Sequence, residues 1–237
     1  MSGSLRIVGL GPGDPALRTG AAERAIREAD VVAGYGPYVD QCADLLDGQE
    51  VLRGRMGEEE ARALEAVERA AAGARVALVS SGDAGVHGMA ARTLAAATGV
   101  DVEVIPGVTA ALAVAARVGA PLADDWATVS LSDLNVPWEV VARRLSALAA
   151  SGIALALYNP RSRTRPLERA LDVLREHRAP DTPVIVATDV SRPDESVVAT
   201  TLAGLDAEAV TMRSLVLVAG ESARWAGPWL VAIRGAA

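Results

Sequence analysis

The run Leu5-Arg6-Ile7-Val8 leads without a break into Gly9-Leu10-Gly11-Pro12-Gly13-Asp14. A short apolar segment ending in a glycine-rich turn is the way a buried strand of an α/β sheet passes to its next element, so this junction constrains the fold from the first residues. It also excludes a ligand. The dinucleotide fingerprint G-x-G-x-x-G needs a third glycine at position 14, where helix and strand pack closely, and this chain has Asp14 there. A carboxylate at that place repels a pyrophosphate and competes for the N–H groups that would hold it. The turn therefore argues against NAD and against an oxidoreductase that uses it.

The pattern recurs along the chain. Short apolar runs at 5–10, 31–33, 50–52, 75–80 and 101–105 read as parallel strands, with helical stretches between them. One helix opens with Glu58-Glu59-Glu60, negative charge at the positive end of its dipole, and Ala61, Leu64, Val67 and Ala71 are expected to face the core. Thr109 is expected to cap a helix that runs to Val118. Around Gly119-Ala120-Pro121-Leu122 the alternation breaks, which places a domain boundary between 119 and 120. Beyond it, strands are expected at 126–131, 153–158, 183–187, 195–201 and 214–219, the third and fourth joined as a hairpin through a turn containing Pro193. A helix at 165–177 should have Thr164 as N-cap and Pro166 in its first turn, with Leu167, Ala170, Leu171 and Leu174 facing inward. The expected class is α/β in two lobes. Residues 1–119 would surround a mostly parallel sheet and residues 120–237 a mixed one, with an active-site cleft between them.

Composition narrows the chemistry. The chain has no lysine, and all 23 of its basic residues are arginine. That excludes a Schiff-base enzyme, a P-loop kinase and a lysine general base. One cysteine, Cys42, and two histidines, His87 and His177, cannot assemble a zinc or iron–sulfur site or an internal disulfide, so no metal is expected. A net charge of −7 opposes a nucleic-acid surface, although Arg53 with Arg55, and Arg161, Arg163 and Arg165, form local clusters able to hold a small anion. No apolar stretch reaches the roughly 18 residues of a membrane span. The first residues lack a basic segment followed by an apolar one. A cytoplasmic protein with no membrane or nucleic-acid partner is expected.

Four segments directly follow expected strands and consist of small or turn-forming residues: Gly9 to Asp14, Ser80 to Gly85, Pro106 to Ala110, and Tyr158-Asn159-Pro160. Ligands of open α/β sheets bind outside the carboxyl ends of strands, and glycine lets them touch the backbone. Singly, each segment is an ordinary turn or helix start, and Gly82-Asp83 reads equally well as the beginning of a helix near Ala84 with Asp83 as its cap.

In this order and spacing the combination resembles the tetrapyrrole methylase family, the class III S-adenosylmethionine (SAM) methyltransferases, from Leu5 to about Ala219. Within that family, four strings are similar to those of the branch that methylates precorrin-3B at C17 with ring contraction to precorrin-4 in cobalamin synthesis. They are Gly34-Tyr35-Gly36-Pro37-Tyr38, Ser81 to Ala90, Ser130-Leu131-Ser132-Asp133-Leu134 with Pro137-Trp138, and Tyr158-Asn159-Pro160-Arg161-Ser162. The chain departs from the branch at His87, where a tyrosine is expected, and at Gly220-Glu221-Ser222, where Gly-Asn-Ser is expected. It departs again at Ala232-Ile233-Arg234-Gly235-Ala236, where Thr-Pro-Arg-Gly-Tyr is expected.

The resemblance implies SAM as methyl donor, S-adenosylhomocysteine as its product, and a homodimer. It implies that Pro12, Gly82, Asp83, Ala84, His87, Thr109, Ala110, Asn159, Ala187 and Thr188 line the SAM pocket, and that Gly11, Gly13 and Asp14 face the macrocycle. The other substrate would be a polycarboxylate tetrapyrrole, so Arg53, Arg161 and Arg163 are candidate anchors for its acetate and propionate arms. Ring contraction needs a group to take the proton of an alcohol, and Asp14, Asp83, His87 and Tyr158 are the candidates, Asp14 first because its loop is expected to face the macrocycle. Two alternatives stay open: methylation of another precorrin carbon, and a non-catalytic tetrapyrrole-binding protein of the same fold.

Overall fold

A computed structural model describes residues 3–132, 134, 136–162 and 164–235. Asp133 and Arg163, both named above, lie outside the described residues. The chain divides into two compact units, the first ending at Ala110 and the second starting at Ala111.

The first unit runs β1 (Ser4–Gly9), α1 (Gly20–Arg27), β2 (Val31–Tyr35), α2 (Gly36–Gln41), β3 (Glu50–Gly54), α3 (Glu59–Ala71), β4 (Arg75–Ser80), α4 (Ala90–Ala96) and β5 (Asp101–Ile105). All five strands are parallel, in the order β3-β2-β4-β1-β5. The apolar run of β1 is explained by burial on both faces. Leu5 and Ile7 pack with Ala63, Ala66 and Ala70 of α3 and Ala90 of α4, while Val8 and Leu10 pack with Ala22 and Ile26 of α1 and Val39 of α2. The chain leaves β1 toward β2 and leaves β4 toward β5, so the two crossovers run in opposite directions across the sheet. With each crossover right-handed, their helices fall on opposite faces. The chain therefore leaves β1 and β4 for opposite faces of the sheet, and the carboxyl edge at these two neighbouring strands is the place where open sheets hold ligands.

The expected inward face of α3 is corrected. Arg62, Ala63, Ala66 and Ala70 are buried and Val67 packs half-buried against the core as expected, whereas Ala61 and Ala71 are exposed and Leu64 keeps 47% of its surface exposed. Two neighbouring faces of this alanine-rich helix carry apolar residues at the same spacing, and the sheet takes the smaller ones. Glu59 and Glu60 do occupy the first turn.

The second unit runs α5 (Ala110–Val118), β6 (Gly119–Ala120), β7 (Trp126–Ser130), α6 (Trp138–Ala150), β8 (Ala154–Tyr158), α7 (Pro166–Arg175), β9 (Pro183–Thr188), β10 (Ser196–Thr201), β11 (Ser214–Val218), β12 (Ala223–Ala226) and β13 (Trp229–Ala232). Its main sheet has the order β10-β9-β11-β8-β7 and is mixed, with only β7 and β8 parallel to each other among paired neighbours. The β9–β10 hairpin pairs Thr188 with Ser196. Leu145 and Ala149 of α6 and Leu167, Ala170, Leu171 and Leu174 of α7 pack with Leu155, Leu157, Val184 and Val216 of the sheet. Buried Arg178 donates to the carbonyls of Ala149, Gly152 and Ile153 at 2.7, 3.1 and 2.6 Å, satisfying carbonyls at and beyond the end of α6.

Three features of this unit were not anticipated. A small sheet joins β12, β13 and β6, its strands too short to give a periodic signal. Arg165, not Thr164, takes the N-cap position of α7, with φ 51° and no side-chain cap, and the Thr164 hydroxyl is engaged by Ser162 at 2.7 Å. Helix α5 also groups with the second unit, so the expected boundary at 119 lies past the end of that helix. Ala111 bonds Tyr158, and Arg117 bonds Glu195. Among the described residues no helix is long and apolar enough to cross a membrane.

Candidate active site

In the first unit the loops after β4, β1 and β5 follow three strands that are neighbours in the sheet, and glycine lets these loops meet. A Cβ on Gly107 would stand 2.3 Å from the Gly82 carbonyl oxygen and 2.7 Å from Gly9, and one on Gly9 would stand 2.7 Å from the Gly107 nitrogen. Gly11, at φ 77°, and Gly82, at φ 66°, form an isolated antiparallel bridge with N–H to O distances of 3.0 and 2.8 Å. Both conformations are left-handed, where only glycine sits without strain. The Gly82 Cβ direction is different, with nothing nearer than 3.9 Å. Around this glycine there is room for a ligand against the backbone.

Asp83 ties two of the loops together. Its Oδ1 accepts from Gly85 N–H at 2.7 Å and its Oδ2 from Gly107 N–H at 2.9 Å. It caps no helix, since α4 begins only at Ala90, and the reading of Asp83 as a helix cap is corrected. Ala84 is fully buried and its carbonyl accepts from Ala90 N–H at 3.0 Å. His87 is an exposed residue at φ 54°, and desolvation of its ring pushes the imidazole pKa below the ordinary value. Asp14 caps the 3-10 turn Pro15–Leu17, its Oδ1 accepting from Ala16 N–H at 2.8 Å. Pro12 is buried beside it and Gly13 is half-buried. Thr109 is buried immediately before α5, and Ala110 is its first residue.

Arg53 is not brought to this knot. It lies on the edge strand β3, three strands from β1 or about 14 Å at ordinary strand spacing, and its guanidinium bonds Asp40 at 2.6 Å and the Gly36 carbonyl at 3.3 Å.

In the second unit β7, β8 and β9 end on one edge of the mixed sheet, so Ser130, Tyr158 and Thr188 share that edge with the start of β11. The Tyr158 hydroxyl accepts from Ala111 N–H in the first turn of α5 at 3.0 Å, and the Tyr158 carbonyl accepts from Leu131 N–H at 2.9 Å. Asn159, at φ 53°, donates through Nδ2 to Ser130 Oγ at 2.9 Å. Ala187 is buried, and the Thr188 hydroxyl meets Ser214 Oγ at 2.6 Å. Arg161 is drawn to the 3-10 turn Ala207–Ala209, bonding the Ala207 carbonyl at 3.1 Å and Glu208 at 2.8 Å.

Several residues that hold these loops carry no local signal. Gln41 donates to the Gly11 carbonyl at 2.9 Å, Ser130 holds Asn159, and Glu208 holds Arg161. Each acts on a loop remote from it in sequence, so only the folded chain reveals the pairing.

The family model of tetrapyrrole (corrin/porphyrin) methylases matches residues 4–206. A curated relative from Sinorhizobium sp, a precorrin-3B C(17)-methyltransferase, is 40% identical over 233 residues, covering 94% of this chain and 91% of that protein. The cobalt-factor III methyltransferase of Priestia megaterium is 39% identical over 245 residues and is matched by 99% of this chain. The chain spans only 45% of that protein's length and 62% of a relative from Methanothermobacter thermautotrophicus. Among solved structures, the methyltransferase CobJ superposes with a TM-score of 0.94 at 37% identity, covering 98% of this chain and 100% of that one. The uroporphyrin-III C-methyl transferase from Thermus thermophilus, complexed with S-adenyl homocysteine, gives a TM-score of 0.73 at 26% identity, over 95% of this chain and 97% of that one. With the glycine knot in place and the match spanning both units, the chain belongs to the tetrapyrrole methylase family.

Proposed function

We propose that the chain transfers a methyl group from SAM to C17 of precorrin-3B, with contraction of the ring to precorrin-4, as a step in cobalamin synthesis. The observation that carries this reading is the 40% identity to a precorrin-3B C(17)-methyltransferase over nine-tenths of both chains. SAM supplies a methyl group on a positively charged sulfur, which departs as a neutral thioether when the macrocycle carbon takes the methyl. No enzymatic nucleophile is required, and the task of the protein is alignment and exclusion of water.

The residues present fit such a donor. The open side of Gly82 leaves backbone groups accessible beside the Asp83 carboxylate, so the loop offers both hydrogen bonds and a negative field to an ammonium or sulfonium. Pro12, Ala84, His87, Thr109, Ala110, Asn159, Ala187 and Thr188 complete the proposed SAM set, and Gly11, Gly13 and Asp14 the proposed macrocycle loop. For the alcohol proton, His87 replaces Asp14 as the first of the four candidates. Desolvation holds its imidazole pKa below the ordinary value, whereas the Asp14 carboxylate is engaged in a cap, the Asp83 carboxylate by Gly85 and Gly107 N–H, and the Tyr158 hydroxyl by Ala111 N–H.

Turnover tests the reading directly. Incubation with SAM and precorrin-3B should yield S-adenosylhomocysteine, a product heavier by one methyl group and a change in macrocycle absorbance. Calorimetry should register S-adenosylhomocysteine and not NAD. Binding without methyl transfer would identify a carrier, and methylation without contraction would point to another carbon.

A further inference from the structure

We propose that Arg161 and Arg165 form a carboxylate clamp for one arm of the anionic substrate, and that Glu208 fills this clamp as an exchangeable internal ligand. The inference rests on the reading that the substrate is a polycarboxylate. Both oxygens of Glu208 are gripped, Oε2 by Arg161 Nη2 at 2.8 Å and Oε1 by Arg165 Nη2 at 2.5 Å. Two guanidiniums on one carboxylate is the arrangement that a ligand carboxylate would meet on arrival.

The two acids around this pair differ in a way that assigns them different parts. Glu168 sits 2.9 Å from Arg165 Nε and 3.7 Å from Arg161 Nη1, with its side chain 24% exposed and its Oε2 buried. It is the fixed counterion. Glu208 is 60% exposed and stands on a single 3-10 turn. Ion pairs this exposed are weakly held, and exchange of one carboxylate for another keeps both the charge and the hydrogen-bond pattern. Arg161 would stay in place during the exchange, because its Nη1 also bonds the Ala207 carbonyl at 3.1 Å.

The backbone supports the same assignment. Arg165 stands in the left-handed region at φ 51°. Such strain in non-glycine residues persists where surrounding contacts fix it, and it gathers at ligand clamps. Here the fixing contact is the bond of Arg165 Nε to Glu168 at 2.9 Å.

The test uses uroporphyrin III, a stable and fully carboxylated tetrapyrrole, titrated by fluorescence at low ionic strength into the full chain. Glu208→Gln should bind it about two- to fivefold more tightly than wild type, the scale of one displaced exposed ion pair. Arg165→Ala should bind it more weakly, and the gain from Glu208→Gln should vanish in the double variant. A residue of purely structural role would produce no such gain. Unchanged or weaker binding by Glu208→Gln, or a gain that survives Arg165→Ala, overturns the clamp. Methyl transfer is read separately on the same proteins. Tighter uroporphyrin binding in Glu208→Gln with no turnover by wild type would sink the proposed activity and keep the clamp. Normal turnover with no response to Glu208 would do the reverse.

Discussion

Gly11 and Gly82 exchange both of their backbone hydrogen bonds, at 3.0 and 2.8 Å, and so weld the turn after β1 to the turn after β4. The Gly11 carbonyl accepts from Gly82 N–H and also from Gln41 Nε2 at 2.9 Å, so both its lone pairs are used. A sheet edge that would otherwise carry separate flexible loops becomes one rigid platform. That is the property a methyl transfer needs, since its rate depends on holding donor and acceptor in line.

The platform depends on glycine at position 107. A methyl group there would collide with the Gly82 carbonyl oxygen at 2.3 Å and with Gly9 at 2.7 Å, and both are backbone atoms with no rotamer to escape into. Gly107→Ala should lose about 1–3 kcal/mol in urea unfolding, the usual cost of overpacking. It should also weaken S-adenosylhomocysteine binding in calorimetry. An alanine variant with wild-type stability would show that the three loops do not need their close approach.

Tyr158 offers a second test. Its hydroxyl satisfies the Ala111 N–H, one of the donors in the first turn of α5 that has no partner inside the helix. Tyr158→Phe leaves that donor without the hydroxyl and should cost about 1 kcal/mol. Hydrogen exchange localises the effect: the Ala111 amide should lose protection while amides of β8 keep theirs. If Tyr158 were instead the essential proton acceptor, the phenylalanine variant would lose turnover far beyond its loss of stability.

How much of this was legible beforehand depended on how local each signal is. Strand β1 could be read because Leu5, Ile7 and Val8 are buried whichever face they point to, and the inward face of α7 because Leu167, Ala170, Leu171 and Leu174 leave no competing stripe. Helix α3 misled because alanines flank its inward face, and Leu64 drew the assignment to the solvent side. The small sheet escaped notice because β6 has two residues and pairs with Leu230 and Val231, more than a hundred positions away. The glycine loops announced themselves by composition. Gln41, Ser130 and Glu208, which hold the loops, did not, because a polar side chain gives no sign in sequence of the distant carbonyl, hydroxyl or guanidinium it will meet.

His87 should leave a mark on the pH profile. Desolvation lowers its pKa below 6.5, so the imidazole is neutral and able to accept a proton across the neutral range, and charges only in acid. The acid limb of kcat/KM should therefore fall below a pKa under the ordinary histidine value. His87→Gln should remove that limb and reduce the rate by about a hundredfold or more, the range of general base catalysis. A glutamine variant with the same acid limb as wild type would take His87 out of the reaction and return attention to Asp14.

Glu195 should govern part of the acid stability of the second unit. Its carboxylate takes a bidentate pair of bonds from Arg117 at 2.7 and 3.0 Å and a further bond from Ser191 N–H, so it joins α5 to the loop after β9. The Arg117 guanidinium is the main cause holding its pKa below the usual carboxylate range, and the Ser191 bond adds to it against the opposing effect of burial. A group with a depressed folded pKa contributes stability that is fully present above its unfolded value, roughly 4.3, and is lost as pH falls through the lower folded value. Wild type should thus exceed Glu195→Gln in urea-unfolding free energy at pH 6–7, and the gap should close progressively below about pH 4.3. Arg117→Gln should show the same closing gap, and the double variant should lose little beyond either single one, since the two residues share one interaction. A gap that stays constant from pH 7 down to the acid transition would mean that the ion pair contributes no charge-dependent stability and that packing alone holds α5 in place.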